Sequence, residues 1–274
     1  MIFEKHILKG ELNKYIESVF HFKDFIPDHS IERVVPTGHI FILFELDGIS
    51  RNTYDNTTLK VAGTFSKVWV SGMHRNYLSI SAHKHSEMLV IQFKPFGGFP
   101  FFHLPIYKLN DKVVSADEVF GDEIFELRKK IIEKQTSSEK FGLIENWLNS
   151  RFNVEKTPNS ELISIINQFV IKPESNHNTI VSSYSKTQKN LIGQFKKFCG
   201  LTPKVFHRMN RFNEILQQIK DKQQISWSQI AYQFDYADQS HFIKEFKEFS
   251  GFNPQEFILL EYNKEEPNFF PLDR

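Results

Sequence analysis

Along the first hundred or so residues, apolar and strand-forming positions come in short runs cut by turn residues. Examples are His39–Ile40–Phe41–Ile42–Leu43–Phe44–Glu45–Leu46, Lys67–Val68–Trp69–Val70 and Glu87–Met88–Leu89–Val90–Ile91–Gln92–Phe93. Pro36–Thr37–Gly38, Asp47–Gly48, Gly72 and Pro95–Phe96–Gly97–Gly98 separate them. Short strands with Gly and Pro punctuation predict a β-sandwich or small barrel over residues 1–115. Phe93, Phe96, Phe99, Phe101 and Phe102 are expected to fill its core, a minority being free to line an apolar pocket. From Ala116 the period changes. Val119–Phe120, Ile124, Leu127 and Ile131 form one helical stripe, and Phe141, Ile144, Trp147 and Leu148 another. Joined by the polar turn Gln135–Thr136–Ser137–Ser138, they predict a helical hairpin over 116–152. A linker follows at 153–160. A helix with Leu162, Ile165, Ile166, Phe169 and Val170 opens an all-helical second domain, 161–262. The tail 263–274, with Glu265–Glu266–Pro267 and Pro271, is expected to be mobile. The fold class is therefore α+β: a β-rich domain with a hairpin, then an all-α domain.

Within the second domain one pattern occurs twice. Leu191, Phe195 and Phe198 precede Gly200–Leu201–Thr202–Pro203, and Phe242, Phe246 and Phe249 precede Gly251–Phe252–Asn253–Pro254. Each is the i, i+4, i+7 stripe of a half-buried helix, ended by Gly and barred from continuing by Pro. A shorter apolar helix precedes each, around Ile180–Val181 and Ile230–Ala231. Two helices joined by a tight turn make a helix-turn-helix, whose second helix can enter a DNA major groove. Duplication argues for two reading heads.

Composition adds three points. The net charge of the 274 residues is only +1, but over 178–213 the charged residues are Lys186, Lys189, Lys196, Lys197, Lys204, Arg208 and Arg211, with no Asp or Glu. A basic segment in a near-neutral chain is the electrostatic footprint of a nucleic-acid contact, although a solvated helix face carries such runs too. The one cysteine, Cys199, excludes an intramolecular disulfide and a multi-cysteine zinc site; it lies on the apolar stripe and reads as core. The N-terminus lacks a signal-peptide pattern and no window reaches eighteen apolar residues, so a cytoplasmic chain without a membrane span is expected.

The second domain resembles the DNA-binding domain of the AraC/XylS family of bacterial transcription regulators. The resemblance covers about 161–257. It rests on Gly200–Leu201–Thr202–Pro203–Lys204, Arg211 and Ile230–Ala231. It rests further on Asp235–Tyr236–Ala237–Asp238–Gln239–Ser240–His241–Phe242, and on Phe246–Lys247 through Gly251–Phe252–Asn253–Pro254–Gln255–Glu256–Phe257. It implies seven helices, with two helix-turn-helix units held apart by a long helix at about 203–220. By matching positions the recognition helices are about 187–198 and 238–249, with Thr187 and Asp238 as N-caps. The implied DNA-binding residues are Gln188, Lys189, Ile192, Gly193, Lys196, Lys197, Lys204 and Arg211 around the first unit, and Gln239, Ser240, His241 and Lys244 in the second. Leu191, Phe195, Phe242 and Phe246 face the core. Two positions depart from the family. Gly193 stands where Arg is frequent, and Lys244 keeps the charge but loses the bidentate fork.

The N-terminal domain resembles, less specifically, the β-rich sensor domains that precede such DNA-binding domains. The features are Glu32–Arg33–Val34–Val35–Pro36–Thr37–Gly38, Gln92–Phe93–Lys94–Pro95–Phe96–Gly97–Gly98 and Leu109–Asn110–Asp111. They are scaffold features and name no ligand. His74, His83, His85 and His103 share this domain, and His83 and His85 would lie on one face of a strand. Two such residues without a third at motif spacing make a weak metal signal. No Gly-x-Ser-x-Gly turn or phosphate loop is present.

The sequence thus reads as a non-enzymatic, bacterial, DNA-binding activator or repressor without a cofactor. Its partners are double-stranded DNA, a small-molecule effector in the first domain, and a second copy of the chain through the hairpin, whose stripes are rich in Phe, Trp, Leu and Ile. Control is expected from the small ligand or from dimerisation through the first domain. The rivals are a cupin-like metal-dependent enzyme fused to a DNA-binding domain, with His83 and His85 as ligands, and a regulator without a small ligand, controlled by a protein partner or by its own abundance.

Overall fold

The computed structural model describes residues 2–219, 225–260 and 268–273. Ten strands come first in chain order: β1 (Ile2–His6), β2 (Ile16–Phe25), β3 (Ile31–Val34), β4 (Phe41–Glu45), β5 (Arg51–Tyr54), β6 (Val61–Phe65), β7 (Val68–Ser71), β8 (Leu78–Ser81), β9 (Ser86–Phe93) and β10 (Val113–Ser115). An eleventh, β11 (Phe269–Pro271), comes from the end of the chain. They form two antiparallel sheets. One has the order β1-β2-β9-β4-β7-β10 and the other β11-β3-β8-β5-β6.

The register of the larger sheet explains why its strands are apolar on both faces. Val19, Ile91, Ile42 and Val70 are cross-strand partners in one row. All four are buried in the main core. This face is covered by helices α3 (Glu123–Ile132) and α4 (Ser137–Arg151), whose Ile124, Leu127, Ile131, Phe141, Ile144 and Leu148 join the same core. The adjacent row, Phe20, Val90, Leu43 and Trp69, points the other way, as period-two alternation requires. It lines a cavity of about 480 Å³ between the two sheets. A slip of one residue would exchange the two rows, so the apolar pattern pins the register.

The hairpin expected over 116–152 is α3 and α4, preceded by α2 (Asp117–Phe120). A reciprocal capping box between Thr136 and Glu139 starts α4. Its apolar stripes were the reason to expect a dimer face. They are spent inside the chain instead, against the β-sheet, so they give no ground for a second copy docking there. The five phenylalanines of 93–102 are all buried, three of them around a short helix, α1 (Phe99–Phe102).

The linker is held down as well. Val154–Lys156 form a 3-10 turn, the Asn153 N–H donates to the Pro100 carbonyl at 3.1 Å, and the Phe152 ring lies 5.3 Å from that of Tyr15. Seven helices then follow: α5 (Ser160–Ile171), α6 (His177–Ser182), α7 (Gln188–Cys199), α8 (Pro203–Ile219), α9 (Trp227–Gln233), α10 (Gln239–Ser250) and α11 (Pro254–Ile258). Of the tail expected to be mobile, 263–267 lie outside the described residues. Residues 268–273 do not conform to the expectation. Strand β11 pairs with β3, Phe270 is fully buried against Phe257 and Phe252, and the Asp273 carboxylate accepts from the Ile31 N–H at 2.9 Å. The aromatic pair Phe269–Phe270 outweighs the flanking prolines, since a buried ring and ladder bonds hold a three-residue strand in place.

Among the described residues no helix is long and apolar enough to cross a membrane.

Candidate nucleic-acid interface

Both recognition helices are built the same way. The Thr187 hydroxyl accepts from the Asn190 N–H at 3.2 Å, and the Asp238 carboxylate accepts from the His241 N–H at 2.7 Å. Each satisfies a backbone donor that the first turn leaves over. Leu191, Phe195 and Phe198 of α7 and Phe242, Phe246 and Phe249 of α10 are buried, as the stripes require. Gly200 at φ +83° and Gly251 at φ +74° end the helices in a left-handed conformation that a side chain would strain. Helix α8, with 17 residues, separates the units; at ~1.5 Å per residue it spans roughly 25 Å.

The opposite faces are open. In α7, Gln188, Lys189, Gly193 and Lys196 are exposed and Ile192 is half-buried; Lys204 is exposed at the start of α8. In α10, Gln239, Ser240, His241 and Lys244 are all exposed. A Cβ built at Gly193 meets nothing within 4 Å. No described neighbour therefore demands a glycine there, and only a contact from outside this part of the chain could.

Two of the residues implied by the resemblance are engaged inside the protein. Arg211 donates from Nη2 to Glu245 at 2.9 Å and from Nη1 to the Phe234 carbonyl at 3.1 Å, and stacks 4.0 Å above the Tyr236 ring. These contacts tie α8 to the second unit and leave the Arg211 side chain largely buried. Lys197 places its ammonium 4.7 Å from the centre of the Phe99 ring and 5.2 Å from that of Phe198, at the junction with the first domain. Arg208 is spent similarly, on Glu245 and Glu248 at 2.6 Å each. The acid-free window seen in sequence is thus neutralised in part by carboxylates of α10.

Glu245 was missed from sequence. It is 2 % exposed, and takes hydrogen bonds from Arg208, Arg211 and the Tyr236 hydroxyl. Burial alone would raise its pKa. The Arg211 charge, with the hydrogen bonds from Tyr236, Arg208 and Arg211, outweighs that and holds the carboxyl below its ordinary range. A Glu between Lys244 and Phe246 on an amphipathic helix looks like a surface residue; only the approach of α8, with Arg208 and Arg211, buries it. Cys199 is buried, and burial pushes its thiol well above the ordinary value, which suits a core residue.

The first domain sits on both units. The Asn110 side chain donates to the Gly200 carbonyl at 2.6 Å, and Phe99 meets Phe198 edge to face at 5.4 Å. Arg33 of β3 lies between the Tyr77 and Phe252 rings at 4.2 and 4.3 Å and donates to the Ser250 carbonyl at 3.4 Å. Asn213 of α8 donates to the Pro36 carbonyl at 3.0 Å. A Cβ on Gly200 would stand 2.4 Å from Asn110 Oδ1, and one on Gly251 2.5 Å from Arg33 Nη1. The two glycines that end the recognition helices are therefore among the points on which the β domain rests.

His83 and His85 do not share a strand face. They lie in the turn between β8 and β9, His85 at φ +60°; His83 bonds Ser81 at 2.8 Å while His85 is exposed. The turn flips the chain between them, which the alternation argument for a metal pair did not allow for.

Residues 183–258 match the family described as "Helix-turn-helix domain", and 9–115 match a "Domain of unknown function (DUF6597)". No curated protein matches the chain. Among solved structures, ToxT from Vibrio cholerae is similar in a 1.65 Å structure at TM-score 0.43 and 14% identity, over 94% of this chain and 98% of that one. An apo ToxT variant from strain SCE256 gives 0.44 and 14% over 88% and 96%, and ToxT bound to (E)-4-(8-methylnaphthalen-1-yl)but-3-enoic acid gives 0.43 and 13% over 94% and 98%. Likeness at this level is loose and assigns no residue. The C-terminal domain of this chain is an AraC-type helix-turn-helix domain, carried behind a β-rich domain of the second family.

Proposed function

We propose that this chain is a sequence-specific DNA-binding transcription regulator whose two reading heads are controlled by a small molecule held in the β domain. One observation carries the reading. Two helices with matched caps and matched buried stripes turn exposed polar sets outward, and the domain holding the cavity rests on the ends of both. Such a domain can lay its two helices in successive major grooves about 34 Å apart. In this reading Gln239, Ser240, His241 and Lys244 face base edges, and Gln239 can pair with adenine. Gln188, Lys189, Ile192 and Gly193 meet DNA in the first unit, with Lys196 and Lys204 on phosphates. Arg211 and Lys197 act by holding the units and domains in place. The work is non-enzymatic and takes place in the cytoplasm, where bacterial DNA is.

Selection of random-sequence duplexes by the full chain tests this. The expected result is a motif of two blocks separated by about one helical turn, ~10 base pairs. Gln239→Ala should cost about 1–3 kcal/mol on the selected site and relax one position of the motif. Failure to enrich any motif, or equal weakening of all sequences by Gln239→Ala, would overturn the assignment.

A further inference from the structure

We infer that the cavity between the two sheets takes an uncharged, mainly aromatic or aliphatic molecule that carries a hydrogen-bond acceptor for Arg51. This rests on the reading of the β domain as the ligand-holding part. The inner row of the larger sheet, with Phe20, Phe41, Leu43 and Met88, is apolar yet stays out of the main core. Facing it are Leu78 and Ile80 of the smaller sheet. A volume of about 480 Å³ falls in the range of small-molecule sites, and apolar walls favour an apolar occupant.

The polar groups set the rest of the chemistry. Arg51 lines the cavity and is 4 % exposed. Its Nη2 meets Asp47 at 2.6 Å and Glu45 at 3.0 Å, but its buried Nη1 has no hydrogen-bond acceptor among the described residues. A buried donor left unpaired costs about 1–3 kcal/mol, which an acceptor on a ligand would recover. That acceptor is not an acid. Asp47, at 2.6 Å, already pairs with the one guanidinium on the wall, and Glu32 is itself a carboxylate in the lining. Nor do the lining histidines supply positive charge. Burial holds His39 and His83 below the ordinary imidazole value and brings His74 to about 4. His39 Nδ1 must donate to the Phe93 carbonyl at 2.8 Å, which leaves Nε2 of the neutral ring as an acceptor for a ligand hydroxyl or amide. The wall also includes Phe269 of β11, whose neighbour Phe270 packs on Phe257 of the DNA-binding domain at 4.8 Å. An occupant would therefore touch a strand that belongs to both domains.

The test titrates the full chain with 6-propionyl-2-(dimethylamino)naphthalene, a neutral ring system with one carbonyl whose emission moves to the blue in apolar surroundings. The matched anion, 6-(dimethylamino)-2-naphthoate, is titrated alongside. The ketone should bind with a blue shift, and the carboxylate at least about tenfold more weakly, as an uncompensated buried charge requires. Leu43→Trp, which adds a bulky ring to the cavity wall and leaves the ion pairs alone, should weaken ketone binding several-fold without lowering the melting temperature. Arg51→Lys, which keeps the charge but loses the spare donor, should weaken the ketone about fivefold, the worth of one hydrogen bond. Equal or tighter binding of the carboxylate overturns the inference, as does ketone binding that Leu43→Trp leaves unchanged or absence of binding altogether. Ketone binding that leaves DNA affinity unchanged upholds the cavity's chemistry and overturns ligand control of the reading heads.

Discussion

Replacing Lys196 and Lys197 singly and together separates an electrostatic contact from a structural one. Both lysines belong to the basic run, and a count of charges would remove two phosphate contacts in the double variant. The structure gives them different work. Lys196 is exposed on the open side of α7, whereas Lys197 is half-buried, with its ammonium between Phe99 and Phe198. Each neutralised phosphate contributes about −0.9 to the slope of log K against log salt. Lys196→Ala should therefore flatten the slope by about 0.9. Between 50 and 200 mM salt, that is a loss of affinity roughly 3.5-fold smaller than the wild type shows. Lys197→Ala should leave the slope unchanged and instead destabilise the fold by about 1 kcal/mol, the worth of a partly desolvated cation over a ring. The double variant should flatten the slope by about 0.9 and not by ~1.8. Fluorescence anisotropy on a labelled random-sequence duplex suffices, because the phosphate contribution does not depend on sequence. A flatter slope for Lys197→Ala alone, or a loss of two units in the double variant, would refute the assignment of Lys197 to the domain junction.

Three further outcomes are expected. Gly193→Ala has open space around its Cβ and should raise helix stability by about 1 kcal/mol through propensity, read as a higher melting temperature; Gly193→Arg should in addition tighten DNA binding, and lost binding by the Ala variant would make Gly193 a contact-distance requirement of the DNA. Phe270→Ala removes a fully buried ring, a loss of about 3–5 kcal/mol that exceeds what a three-residue edge strand can hold; hydrogen exchange should then show the Val35 and Leu272 amides, bonded to Asn268 and Ile31, losing protection while β9 keeps it. Glu45 is raised from 4.5 to about 7 by burial, against the pull of Arg51. The folded chain therefore holds this proton more tightly than the unfolded one. Its contribution to stability is full below about pH 4.5 and is lost as pH rises to about 7. Glu45→Gln should flatten that part of the melting-temperature profile, and an unchanged profile would count against the shift.

Local pattern alone determined most of the DNA-binding domain. The stripes Leu191–Phe195–Phe198 and Phe242–Phe246–Phe249, the caps Thr187 and Asp238 and the glycines after each helix are short-range signals, because a helix satisfies its backbone and buries its face within a few turns. The β domain was legible as strands and turns, but not the pairing that brings β11 from the far end of the chain to β3. Non-local partners leave no periodic trace. Charge was the least legible quantity. The basic window read as a DNA face until folding set Glu245 and Glu248 of α10 against Arg208 and Arg211, some 34 to 40 residues apart. The hairpin stripes announced burial without naming the surface that would bury them, and the chain's own sheet proved to be that surface. Apolar residues on the two faces of β4 look alike in sequence, yet one row closes the core and the other opens a cavity, because only the packing of whole sheets decides which face finds a partner.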